Sequence, residues 1–202
     1  MNLFDRCSGN SLSAELSWIH EPNRWTFDED KGLLVSAPEN ADYFIDPAGT
    51  QVKASAPFLF TKVQGDFNIS TRVHVEMKHQ YDSGCLMIMS DSQNWAKLCY
   101  EFFEGRKSIL SVVTKNTSDD CIGGDLDIVN PFLRIARSGN SFAFHYSLDG
   151  LRWHLIRYFG MECGAELKVG VVAQSPIGEG CQVSFEHLRL SNHNEGDIRS
   201  VK

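Results

Sequence analysis

The chain has 202 residues, 42% of them hydrophobic, 22% charged and 11% aromatic, a balance that excludes disorder, collagen and coiled coil and lets one core bury most of the apolar surface. No run nears the roughly 20 apolar residues of a membrane-crossing helix. The net charge of −7 comes without clusters of Lys and Arg, so neither membrane nor nucleic acid is an expected partner.

Apolar residues recur with a period near two, and turn residues interrupt them every ten or so positions, the pattern of a β-sandwich or barrel. In chain order, residues 25–27 and 32–36 and the pair Tyr43-Phe44 predict the first strands. Over 66–77, Phe67, Ile69, Val73, Val75 and Met77 alternate with Asn68, Ser70, Arg72, His74 and Glu76, so one face is core and the other wet. Residues 85–89 are apolar on both parities and predict a central strand covered on both sides. After the turn Asp91-Ser92-Gln93-Asn94 a strand over 94–103 returns as a hairpin, with Trp95, Lys97, Cys99 and Glu101 on one face and Ala96, Leu98, Tyr100 and Phe102 on the other. The turn Glu104-Gly105 leads into a strand over 108–114, and the polar, Gly-containing stretch 115–130 predicts a long loop. Strands over 132–137, 141–147 and 153–159 follow, separated by Ser138-Gly139-Asn140 and Asp149-Gly150. Residues 167–173 and 182–190 close the series. With no composition break and no repeat, the expectation is one all-β jelly-roll domain of two antiparallel sheets over 1–192 and a polar tail over 193–202.

The start Met1-Asn2-Leu3-Phe4-Asp5-Arg6 lacks the basic region and apolar stretch of a signal peptide, so a cytoplasmic chain is expected. The six cysteines, at 7, 85, 99, 121, 163 and 181, form no C-x-x-C pair. They read as free thiols with no structural disulfide, although Cys85 and Cys99 could face each other across their hairpin.

Signatures of catalysis are missing. Glu101 and Glu104 are three apart on a strand and so on opposite faces. Gly-x-Ser-x-Gly, a Walker loop and His-Glu-x-x-His do not occur. His74 and His145 sit on the polar parity of their strands without ligand spacing, so neither metal nor cofactor is expected. Asp119-Asp120 and Asp125-x-Asp127 read as a solvated acidic loop rather than a Ca²⁺ site. The informative constellation is the non-core parity: Arg72, His74 and Glu76 on one strand, Trp95, Lys97 and Glu101 on another, His145 and Ser147 on a third. Charges, hydrogen-bonding groups and one Trp on a shared face would suit a polyhydroxylated ligand, which offers hydroxyls to polar groups and C–H faces to a ring. The plainer alternative is that Lys97–Glu101 and Arg72–Glu76 are charge pairs solvating a sheet.

Several segments, in order, resemble a family of mostly uncharacterised concanavalin A-like domains of bacteria and fungi that includes the yeast protein named for regulation of enolase. They are Trp18-Ile19-His20-Glu21-Pro22 with Trp25, Asp42-Tyr43-Phe44, Gly65-Asp66-Phe67, Tyr81-Asp82-Ser83-Gly84-Cys85-Leu86-Met87, Trp95-Ala96-Lys97-Leu98-Cys99-Tyr100-Glu101, Tyr146-Ser147-Leu148-Asp149-Gly150 and Ser175-Pro176-Ile177-Gly178. The resemblance implies a concanavalin A-like jelly roll of the lectin/glucanase kind, similar to non-catalytic parts of β-xylosidases, and no established catalytic residues. It also puts Trp where this chain has Phe44 and Asp120.

The first expectation is therefore a non-catalytic domain that binds a carbohydrate or other small polar ligand on its concave face, with Trp95 as platform and Lys97, Glu101, Arg72, His74, Glu76 and His145 as polar contacts. The alternatives are a module that binds a protein partner, or a glycoside hydrolase or lyase using Glu76 and Glu101.

Overall fold

The computed structural model describes residues 1–125, 129–192 and 196–201. Its strands are β1 (Ser17–Ile19), β2 (Trp25–Asp28), β3 (Gly32–Ala37), β4 (Tyr43–Ile45), β5 (Val52–Ala54), β6 (Phe58–Gln64), β7 (Phe67–Val75), β8 (Ser83–Met89) and β9 (Asn94–Phe103). There follow β10 (Arg106–Lys115), β11 (Thr117–Asp125), β12 (Phe132–Ser138), β13 (Ser141–Ser147), β14 (Trp153–Gly160), β15 (Glu166–Gln174), β16 (Cys181–Phe185) and β17 (Arg189–Ser191). A seven-stranded sheet runs β1-β6-β15-β8-β9-β10-β11, an eight-stranded one β14-β13-β12-β7-β16-β3-β2 with β17 also on β7, and β4 and β5 form a separate hairpin. Every pairing is antiparallel. The expected sandwich of two antiparallel sheets is what the chain forms.

Side-chain alternation decides what packs where. Phe67, Ile69, Val73, Leu133, Ile135, Phe142, Phe144 and Phe185 from the eight-stranded sheet meet Leu59, Leu86, Ile88, Ala96, Leu98, Ile109, Val169 and Val171 from the seven-stranded one in a single cluster. Each large side chain so buried contributes roughly 1.5–3 kcal/mol. The other face of the seven-stranded sheet is apolar too: Phe58, Phe60, Cys85, Met87, Met89, Trp95, Cys99, Leu110, Val112 and Val172 cluster with Ala41 and Tyr43. That second layer exists because the β4–β5 hairpin lies across it, tied to the sheet where the Ile45 amide donates to Ser118 Oγ at 2.9 Å. It explains why β8 is buried at all seven positions.

The structure corrects two expected elements, at 115–130 and at 182–190, and adds three strands, β1, β5 and β6. The stretch 115–130 is not a long loop, because β11 turns back at Asn116, whose φ is 67°, and pairs with β10 from Lys115↔Thr117 onward. Its two glycines and three aspartates hide the strand, which lies at a sheet end where solvent tolerates them. The Asp127 of the acidic pair lies outside the described residues, as do 193–195 and 202 of the tail. Residues 182–190 are not one strand: β16 pairs with Val73 and Val75, β17 with Asn68 to Ser70, and the chain steps between them at Glu186 to Leu188. Strand β6 follows Pro57, reads apolar on both parities and carries no turn signal of its own, so periodicity alone does not mark it. The short β1 and β5, three residues each, are too brief to show a period.

Between β2 and β3, Gly32 has φ +71°, and a Cβ there would lie 2.2 Å from the Phe185 carbonyl oxygen. Both facts require glycine at this turn.

Candidate functional site

Strand β9 points Trp95, Lys97, Cys99, Glu101 and Phe103 away from the sandwich core. Directly opposite them stand Met89, Met87, Cys85 and Ser83 of β8 and Thr114, Val112, Leu110 and Ser108 of β10. The β4–β5 hairpin covers one end of this face and leaves a pocket of about 290 Å³ at the other. Its floor carries Lys97, Glu101, Gln174 and Asp42, and its rim Phe44, Lys53, Tyr81, Phe103, Asp120 and Ile177.

The floor is a polar network set in an apolar layer. Lys97 is only 3% exposed. It donates from Nζ to Gln174 Oε1 at 3.1 Å and lies 3.6 Å from Asp42 Oδ1, while Gln174 Nε2 donates to Asp42 Oδ1 at 2.9 Å. Buried charges persist when paired and hydrogen-bonded in this way. Burial alone would pull Lys97 down, yet the acidic groups Cys99, Asp42, Cys85 and Glu101 around it hold it above the ordinary lysine value, so it is a cation at neutral pH. Burial pushes the Glu101 carboxyl up to about 8 against the opposing pull of Lys97, with Cys85, Asp42 and Asp120 adding to the rise. At neutral pH Glu101 is thus a neutral acid that can donate as well as accept. Asp120 is raised as well, first by burial. One lysine, one aspartate, one amide and one protonated carboxyl give a floor with little net charge and both kinds of hydrogen-bonding group.

Of the residues singled out by parity, Lys97 and Glu101 line this pocket and share its floor. Trp95 is on the same face but does not line the pocket: it is 1% exposed, packed edge-on beneath Tyr43 at 5.9 Å between ring centroids. It belongs to the apolar layer and offers no platform. Arg72, His74, Glu76 and His145 are not on this face at all. Arg72 and His74 project from β7 and His145 from β13, both in the eight-stranded sheet, on the side away from the core, and Glu76 follows β7. The whole sandwich lies between them and Lys97. Arg72 pairs with Glu186 at 3.1 Å and not with Glu76, which sits 3.7 Å from Lys78. His74 Nδ1 meets Asn130 Oδ1 at 2.6 Å, and His145 is fully buried. Glu76 and Glu101 therefore cannot flank one glycosidic bond. Alternation tells which residues share a face of their own strand, but the strand pairing decides which molecular surface that face becomes.

Asp42, Gln174, Tyr81 and Asp120 are site residues that parity did not find. For Asp42 and Tyr81 the signal lay in the family-like segments, of which Asp42 and Phe44, Tyr81, Lys97 with Glu101, and Pro176-Ile177 converge on this pocket; Gln174 had no such signal. Phe44 and Asp120, the two departures from the Trp the resemblance expects, both stand in its wall. Among the described residues no group of three or more His, Cys, Asp or Glu side chains is placed to hold a metal, and no helix is long and apolar enough to cross a membrane.

Residues 18–193 match the family described as "Protein of unknown function (DUF1349)". No curated protein sequence matches the chain. Among solved structures, it resembles a functionally unknown protein from Saccharomyces cerevisiae at a TM-score of 0.84 and 22% identity, over 90% of this chain and 98% of that one. The GH43 BlXynB protein from Bacillus licheniformis matches at 0.73 and 14% identity, over 95% of this chain but only 39% of that one. The carbohydrate-binding module CBM66 from Bacillus subtilis matches at 0.56 and 11% identity, over 92% and 96%. At these identities the likeness is one of fold.

Proposed function

The chain belongs to the DUF1349 family, and from that premise we propose that it is a binding domain that takes a neutral, polyhydroxylated, carbohydrate-like ligand in the pocket over β9. The observation that carries this reading is the buried polar floor opening to solvent between aromatic walls. Sugar hydroxyls suit a floor that mixes Lys97, Gln174, Asp42 and a protonated Glu101, and sugar C–H faces suit Phe44, Tyr81 and Phe103. Lys97 already has Asp42 and Gln174 as partners, which favours a neutral sugar over a sugar phosphate. The fold likeness to a carbohydrate-binding module supports the same class of ligand.

The test is a thermal-shift screen of mono- and oligosaccharides, with sugar phosphates alongside. A ligand at about 100 times its dissociation constant stabilises the fold by roughly 2.7 kcal/mol. A neutral saccharide should shift the melting temperature of the wild type and of Arg72→Ala, on the far sheet, but not of Phe44→Ala or Phe103→Ala. A shift that survives both rim variants, or no shift with any saccharide, overturns the assignment.

A second reading, a module that docks a protein partner, is favoured by a separate observation. Strand β14 lies at the end of its sheet, and Leu148, Leu151 and Leu155 are exposed in and beside it, Leu151 to 78%. Leu155→Lys would abolish such an association and leave saccharide binding intact.

A further inference from the structure

We propose that Cys85 and Cys99 are a peroxide-oxidisable dithiol, a modification site beneath the pocket floor at which hydrogen peroxide converts two thiols into a cross-strand disulfide. Backbone pairing sets the geometry. Cys85 stands directly opposite Cys99 in the β8–β9 hairpin. The Ser90 amide donates to the Asn94 carbonyl at one end of that hairpin and the Phe102 amide to the Asp82 carbonyl at the other. Hydrogen-bonded pairs alternate with non-bonded ones along an antiparallel ladder, which makes Cys85/Cys99 a non-hydrogen-bonded pair. Opposed Cα atoms at such a pair lie about 4.5 Å apart, inside the roughly 4.4–6.8 Å window of a disulfide. The two sulfurs are already 3.0 Å apart and on the same side of the sheet, so closure needs side-chain rotation and no backbone movement.

The surroundings divide the roles. Burial would push both thiols up, but the contact with Cys99 and the charge of Lys97 leave Cys85 below the ordinary thiol value, while burial and its partner hold Cys99 above it. One sulfur is thus available as the thiolate nucleophile and its neighbour as the resolving thiol. Access comes from the pocket: Lys97 and Glu101 flank Cys99 on the same face of β9, Leu110 stands opposite it, Gln174 Oε1 lies 3.9 Å from Cys85 Sγ, and all four line the cavity. Both cysteines are closed to bulk solvent in this conformation, so hydrogen peroxide reaches them only as the floor side chains Lys97, Glu101 and Gln174 move aside, and a bulky thiol such as glutathione is excluded. In the first step the Cys85 thiolate attacks one peroxide oxygen. The S–O bond forms, the O–O bond breaks, and the departing hydroxide takes up a proton as water. The Cys99 thiol then attacks the sulfenic sulfur; the S–S bond forms, the S–O bond breaks, and the hydroxyl leaves with the Cys99 proton as a second water. One peroxide is reduced and two thiols are oxidised.

The experiment exposes folded protein to hydrogen peroxide, quenches with catalase, unfolds in alkylating agent without reductant and maps peptides by mass. The expected result is a Cys85–Cys99 cross-linked peptide that dithiothreitol abolishes. It should persist in Cys121→Ser, disappear in Cys85→Ser and Cys99→Ser, and outweigh the other products of oxidised Cys85 (other pairings and higher sulfur acids) by a ratio at least about tenfold greater in folded than in urea-unfolded protein, because the fold holds the sulfurs together. The wild-type map and the urea comparison decide the matter even if a serine variant fails to fold. Recovery of both cysteines fully alkylated at doses that oxidise the exposed Cys121, or a ratio of cross-link to other Cys85 products no greater in the folded chain, overturns the proposal. Neither result depends on the ligand of the pocket.

Discussion

Glu101→Gln tests the electrostatics of the pocket floor. In the unfolded chain the Glu101 carboxyl ionises near 4.5, whereas in the folded chain burial holds its proton to about 8. Between those values the unfolded state binds fewer protons than the folded one, so stability falls as the pH rises, by about 1.4 kcal/mol per pH unit. Below 4.5 both states are protonated and above 8 both are ionised, so the loss is confined to that window and totals about 5 kcal/mol. Gln cannot ionise and keeps nearly the same shape. The difference in unfolding free energy between wild type and Glu101→Gln, from urea titrations followed by tryptophan fluorescence, should therefore be level in acid and tilt steadily against the wild type up to about pH 8. A difference that stays flat across the window would refute the argument. So would one that moves in favour of the wild type with rising pH, since Glu101 would then be an anion paired with Lys97 in the folded chain.

Four other outcomes follow from the same geometry. Lys97→Met leaves the Asp42 carboxylate in the floor without its nearest cation and should cost about 3–5 kcal/mol, part of which Asp42→Asn in the same chain should restore, as read by urea midpoints. Tyr43 Oη is buried without a hydrogen-bond partner, so Tyr43→Phe should melt at the wild-type temperature or slightly above it. Burial and the nearby Arg134 charge depress His145 to about 4; its unfolded form binds the extra proton between 6.5 and 4, so stability should fall by about 3 kcal/mol as the pH drops through that window, and His145→Leu should lack this loss. Gly32→Ala, at positive φ against the Phe185 carbonyl, should lower stability by more than about 1 kcal/mol in the same assay.

Local pattern showed the layers of this molecule more plainly than its surfaces. The two-residue period of β7, the doubly apolar run of β8 and the hairpin into β9 are properties of neighbours in sequence, and the structure has them all. The pocket is not such a property. Gln174 and Asp42, which bond to each other in its floor, are 132 positions apart, and no periodicity links the end of β15 to the residue that leads into β4. Arg72 and Lys97 show the same difficulty from the other side. Each sits on the polar parity of its own strand, yet β7 and β9 belong to different sheets, so their polar faces look in opposite directions. Trp95 was ambiguous for a third reason: both faces of β9 are covered, one by the opposite sheet and one by Tyr43, and a strand buried on both sides does not show which aromatic is within reach of solvent.

The neighbours of β8 also bear on how the chain is made. One partner, β9, leaves the ribosome at once, but the other is β15, where Met87 meets Gly170 roughly eighty residues further along. At about 5–20 residues per second, synthesis leaves that edge open for about 4–16 s, and residues 85–89, Cys-Leu-Met-Ile-Met, are the most uniformly apolar run of the chain. The nascent protein passes through a stage in which its future centre is a sticky, unpaired margin. Cellular yield should therefore depend on translation speed and chaperone supply between β9 and β15 more than on the final stability of the folded sandwich.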